Sequence, residues 1–109
     1  MPYDETIAAR VRKAYGAQRR VVEKKMFGGI AFMVAGHMSC GVVGDTLMVR
    51  VGPELYQRAL KRPHTREMTF TGKPMRGFVY VVPPGFDSEE DLCSWVNLSL
   101  RFVEGLPPK

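Results

Sequence analysis

Two residues of catalytic type stand close together in the middle of the chain: His37 and Cys40, three apart in the run AGHMSCG. A cysteine beside a histidine is the kernel of a nucleophilic site, and both residue types are common zinc ligands. Each chemistry asks for more than a pair. A thiolate nucleophile needs a lowered pKa and a third group to orient its base, while a zinc site needs about four ligands. The remaining histidine and cysteine, His64 and Cys93, belong to separate segments. Cys40 shares strand parity with Met38 and Val42, so it is expected to serve as a small core hydrophobe, with no catalytic residue, metal or cofactor in the chain.

The other polar clusters point the same way. Carboxylates gather at helix starts, in Asp4-Glu5, at Glu54 and in Glu89-Glu90-Asp91, where capping and the helix dipole account for them. Gly28-Gly29 lacks the spacing of a phosphate-binding loop and leads into a strand, so it reads as a bulge or a close backbone approach. The densest positive run is Arg10, Arg12 and Lys13, then Arg19, Arg20, Lys24 and Lys25. Residues 1–26 hold these seven Lys/Arg against three Asp/Glu. Arg50 and Arg76 each sit in a strand at a parity opposite to their bulky apolar neighbours. They are expected to project from the far sheet face or its rim, either solvated or paired locally or as a recognition surface for an acidic partner.

The elements that position these residues follow from hydrophobic period. Asp4 to Tyr15 reads as an amphipathic helix with Ile7, Ala8, Val11, Ala14 and Tyr15 on one face, Asp4 as N-cap and Gly16 as the stop. A basic link leads from it to the sheet. Met26 to Val51 reads as three short strands joined by turns at Ala35-Gly36-His37 and Gly44-Asp45. Ile30, Phe32 and Val34 alternate with their neighbours there, as do Leu47, Val49 and Val51. A short helix starts at Gly52-Pro53-Glu54 and ends at Arg62-Pro63. A second hairpin turns at Gly72-Lys73-Pro74, with Phe78, Tyr80 and Val82 on one face of its last strand. Phe32, Val49 and Tyr80 are expected to face a common helical layer.

Ser88 caps a final helix with Leu92, Trp95, Val96, Phe102, Val103 and Leu106 as its main stripe. Cys93, Leu98 and Leu100 widen the apolar arc beyond what one core needs, which predicts a homodimer burying Leu98 or Leu100. The fold class is therefore α+β: helix, three strands, helix, two strands, helix, with an antiparallel sheet packed against the helices. At 109 residues, with 45% hydrophobic and 25% charged residues, the chain suits a single domain spanning residues 1–109. Neither a membrane span nor a secretory signal is evident, so a cytoplasmic location is expected.

Several runs taken together carry a family resemblance: Lys24-Lys25-Met26-Phe27-Gly28-Gly29, Cys40-Gly41-Val42-Val43, Leu47-Met48-Val49-Arg50-Val51-Gly52 and Met75-Arg76-Gly77-Phe78-Val79-Tyr80-Val81. The chain resembles the N-terminal domain of the TfoX (Sxy) family of bacterial competence regulators, and the resemblance spans nearly its whole length. It implies a secretion-chaperone-like α+β fold. In its best-known members it also implies transcription regulation, in a protein that helps a cyclic-AMP receptor protein switch on DNA-uptake genes. Those regulators carry a second, C-terminal helical domain, for which these residues leave no room, so a single-domain member is expected.

Three functions follow from these readings. The first is a non-enzymatic regulatory module acting through protein–protein contacts, with Arg50, Arg76, Lys24, Lys25, Arg19, Arg20, Leu98 and Leu100 as candidate partner-binding residues. The second is weak direct nucleic-acid binding through the basic N-terminal segment, which the formal charge of +5 permits. The third is a small enzyme using Cys40 or His37.

Overall fold

Residues 3–16, 21–26, 28–70 and 73–107 are described here from a computed structural model of the chain. Asp4 opens helix α1 (Glu5–Tyr15) as its spacing predicts. Its Oδ1 accepts from the amides of Thr6 at 2.9 Å and Ile7 at 3.3 Å, satisfying two of the donors a helix start leaves open. Gly16, at φ 75°, ends the helix. Four strands follow, β1 (Val21–Met26), β2 (Gly29–Val34), β3 (His37–Val43) and β4 (Thr46–Arg50). After them come a one-turn helix α2 (Tyr56–Leu60), the strands β5 (Thr65–Phe70) and β6 (Lys73–Val81), and the long helix α3 (Glu89–Val103).

This order corrects the expected one at β1. The supposed basic link pairs with β2 from Val21 opposite Val34 to Met26 opposite Gly29. Its Glu-Lys-Lys core hides the strand from a hydrophobicity pattern, because an edge strand buries neither face fully and tolerates charge on both. Gly29 admits the close approach anticipated for the double glycine, since a Cβ there would lie 2.1 Å from the Val42 carbonyl oxygen. Helix α2 also starts later than expected. Pro53 to Leu55 form a turn, and Leu55 in the N-cap position offers no side-chain acceptor.

All six strands form one antiparallel sheet in the order β1-β2-β3-β4-β6-β5. Two rows of paired residues cross its core face: Ile30, Val42, Leu47 and Val81, then Phe32, Cys40, Val49 and Val79. The three helices cover this face, with Val11, Tyr15, Tyr56, Leu92, Trp95 and Leu100 joining the strand residues in one apolar cluster. Tyr80 is not part of it. It pairs with Met48 and Arg66 on the outer face, while β-branched Val79 and Val81 fill the core. The alternation along β6 is equally apolar on both faces, so parity alone pointed to the wrong one. Across the outer face runs the row Lys24, Ala31, Gly41, Met48, Tyr80, Arg66, apolar in the middle with a cation at each end.

A register shift between Phe32 and Met33 breaks the alternation of β3. Met38 pairs with Met33 and Cys40 with Phe32, so Ser39 is the extra residue. The bulge turns Ser39 into the core beside Cys40 and leaves Met38 on the opposite side, against the shared parity expected of Met38 and Cys40. There the Tyr15 hydroxyl donates to Ser39 Oγ at 2.7 Å, Ser39 Oγ lies 2.7 Å from Ser99 Oγ, and Ser99 Oγ donates to the Ser39 carbonyl at 3.0 Å. With Ser39 donating to Ser99, each hydroxyl proton is used once. Burial drives the Tyr15 phenol well above its usual pKa, so the chain stays uncharged.

No helix among the described residues is long and apolar enough to cross a membrane. Phe32 is fully buried and its ring stacks on Tyr15 with centroids 5.6 Å apart. Phe32→Ala is therefore expected to lower unfolding free energy by about 3–5 kcal/mol, read from urea denaturation. A midpoint equal to wild type would contradict the packing described.

Candidate functional site

The two residues of catalytic type are put to separate structural uses. Cys40 is fully buried, and burial pushes its thiol up to about 11, the wrong direction for a nucleophile. Its polar neighbours are the hydroxyls of Tyr15, Ser39 and Ser99. His37, 8% exposed, places Nε2 2.6 Å from the carbonyl oxygen of Pro107. A carbonyl only accepts, so Nε2 carries the proton and the ring pins the chain beyond α3. Among the described residues, no group of three or more His, Cys, Asp and Glu is placed to hold a metal ion.

The basic run is divided rather than gathered. Arg10 donates from Nη2 to the carbonyls of Phe86 and Asp87, both at 2.9 Å, and from Nε to Glu89 at 3.2 Å. It ties α1 to the loop that opens α3. Arg12 forms a two-pronged pair with Glu23, with Nη2 to Oε1 at 2.7 Å, and approaches Glu5 at 3.6 Å. That pairing raises the arginine pKa and holds the Glu23 carboxyl below its usual range. Lys13, Lys24 and Lys25 remain exposed. As strand neighbours, Lys24 and Lys25 point to opposite faces. Arg19 and Arg20 lie outside the described residues, and so does the side chain of Arg76, whose backbone belongs to β6.

Arg50 is held within the chain. Its guanidinium lies 5.3 Å from the ring centroids of both Phe78 and Phe102, and Nη1 reaches the Met38 carbonyl at 3.4 Å. Burial lowers its pKa. The site that emerges lies on the other side of Phe102. Between α2 and the end of α3 runs a groove of about 660 Å³, walled by Val51, Pro53, Leu55, Leu98, Phe102 and Leu106, with Glu54, Arg58 and Arg101 at its margin. This is the size of a small-ligand or peptide-anchor site. Gly52 lets the wall stand where it does. It has φ 85°, and a Cβ on it would fall 2.4 Å from the Phe102 ring.

Of the two leucines expected to meet a partner, only Leu98 reaches this groove. Leu100 is 3% exposed inside the chain's own core and offers nothing to a second molecule, which corrects the patch on which the dimer was predicted. Arg58 and Arg101 did not stand out in the sequence. Phe102 and Leu106, expected in the main stripe of α3, stand with Leu98 on the groove wall, and the opposite wall exists only once α2 packs beside α3.

The two thiols are expected to react differently. Cys93 is partly exposed and Cys40 is buried. A thiol reagent near neutral pH should therefore modify one cysteine in the native protein and two in denaturant, and Cys93→Ser should abolish the native reaction. Fast native labelling of Cys40 would contradict the burial described.

Residues 13–103 match the family model described as the TfoX N-terminal domain, from the second half of α1 to the last residue of α3. No curated protein and no solved structure gives a significant match. With the matched stretch covering all six strands and two of the helices whole, the chain belongs to the TfoX N-terminal domain family.

Proposed function

We propose that this domain is a non-enzymatic regulatory module that acts through protein–protein contacts, with the groove between α2 and α3 as its contact surface. The observation that carries the reading is the half-exposed apolar wall of Leu98, Phe102 and Leu106, facing Leu55 across the groove. Apolar concavities with a few charged groups at the margin are the usual form of a binding site. Kinship with the TfoX N-terminal domain supports the regulatory part, since the competence regulators it resembles work by assisting another transcription factor. The buried, proton-holding Cys40 and the carbonyl-bound His37 weigh against the enzymatic rival.

Affinity capture from the native cell is the test, with wild type and Leu98→Glu as parallel baits. Circular dichroism would establish that both are folded. Wild type is expected to retain one stoichiometric protein that Leu98→Glu loses. A wild-type bait that retains none overturns the module reading.

The exposed ammonium groups of Lys13, Lys24 and Lys25 favour a second reading, weak nucleic-acid contact. Arg10 and Arg12 are already paired with carboxylates, which leaves the three lysines as the exposed cations of this segment among its described residues. Each phosphate neutralised contributes a slope of about −0.9 in log affinity against log salt. Duplex DNA is expected to bind weakly and without sequence preference at physiological salt, with a shallow slope that Lys24→Ala/Lys25→Ala reduces. Nanomolar affinity for one duplex, and far weaker affinity for its scrambled form, would put DNA recognition in place of the protein contact.

A further inference from the structure

Helix α3 carries two apolar stripes, and the core uses only one. Leu92, Trp95, Val96, Ser99, Leu100 and Val103 are buried against the sheet and the other helices. Leu98 and Phe102, one turn apart on a neighbouring face, stay half-buried, and Leu106, in the turn beyond the end of α3, extends the same wall. The turn before α2 supplies the facing wall through Leu55. A trough with apolar walls suits a helix that brings its own apolar residues at three- and four-residue spacing.

Charge specifies the segment further. Arg58 stands on α2 and Arg101 on α3, one on each side of the trough, and both are exposed. Among the described residues, the ion pairs join Arg10 and Arg12 to Glu5, Glu23 and Glu89, and none engages Arg58 or Arg101. Glu54 is the single acid among the residues lining the groove. Two guanidinium groups on opposite sides offer paired donors to carboxylates flanking an apolar anchor, and they repel a basic segment.

We infer that the groove receives an amphipathic helix of a partner protein, with its apolar face against Leu98 and Phe102 and carboxylates toward Arg58 and Arg101. This rests on the interaction-module reading and adds the partner's chemistry. The acidic flanks set orientation and speed encounter, while the apolar anchors supply the burial.

The test uses the full chain, labelled with ¹⁵N, and two synthetic peptides of about 14 residues, long enough to approach helix formation. Both carry leucine at i, i+4 and i+7, flanked by glutamate in one and lysine in the other. The glutamate peptide is expected to shift the amides of Leu55, Arg58, Leu98 and Arg101 and to bind about tenfold or more tightly than the lysine peptide. Arg58→Glu/Arg101→Glu, checked for fold by circular dichroism, should exchange that preference. Equal affinities, or no shift at the groove with either peptide at millimolar concentration, overturn the inference. Shifts centred on Met48 and Tyr80 instead would overturn the groove while leaving an interaction module with its surface on the outer sheet face. A dimer that Leu98→Glu dissociates would put a second copy in the trough and overturn the partner-helix assignment. Failure of the broader reading is separate, since it shows as a wild-type bait that captures no protein.

Discussion

Three hydroxyl groups buried between the layers set the spacing of this molecule. Tyr15 on α1, Ser39 in the β3 bulge and Ser99 on α3 form one hydrogen-bonded chain, and each of the three side chains is within 5% of complete burial. Apolar packing tolerates small slips, because dispersion between hydrocarbon groups has little direction. Hydroxyls in the same place do not, since each one left without a partner costs about 1–3 kcal/mol. A shift of α3 along the sheet would orphan two of the three groups, and a shift of α1 would orphan the phenol. The small side chain of Ser99 lets α3 come close to the strand, and Phe32 stacks against Tyr15 to close the same region.

That arrangement explains which parts of the fold were legible from residues alone. Helix α1 announced itself through Asp4, Gly16 and the spacing of Ile7, Val11 and Tyr15, and α3 did so through Ser88 and the acidic turn behind it. The strands from Gly29 to Arg50 showed their period because Ile30, Phe32, Leu47 and Val49 all fall on the face that joins the core cluster. Ser39 carried no such mark, since a bulge is a local accident of pairing and its extra residue looks like any polar residue out of phase. The charges of β1 hid a strand that pairs on one side only. Tyr80 and Val79 competed for the same core face, and aromatic bulk is a poor guide when both faces of a strand are apolar. Leu100 read as surplus because the count of apolar residues on α3 does not say which of them turn into the core cluster.

The groove follows from how α3 ends. Its last turns run past the end of β4, where Gly52 gives the Phe102 ring room and Arg50 supports it from behind with Phe78. A half-buried arginine held against two aromatic rings is a poor surface charge but a good strut, because cation–π attraction gains as water is excluded. Of the two uses expected of Arg50, the structure shows the local pairing. Its charge serves the wall of the site, while Arg58 and Arg101, on the shoulders of the groove, carry the charges a visitor would meet.

Among the described residues the sheet does not close on itself, so β1 and β5 each present one row of backbone donors and acceptors with no described strand beside it. Such rows are templates on which other chains can add strands and grow fibrils. Here β1 carries Glu23, Lys24 and Lys25 and β5 carries Arg66 and Glu67, so any strand approaching either border must strip water from charged side chains before it gains a ladder. The charges that disguise β1 as a link thus limit the sheet to six strands, and they protect newly synthesised copies from zipping together edge to edge at high concentration.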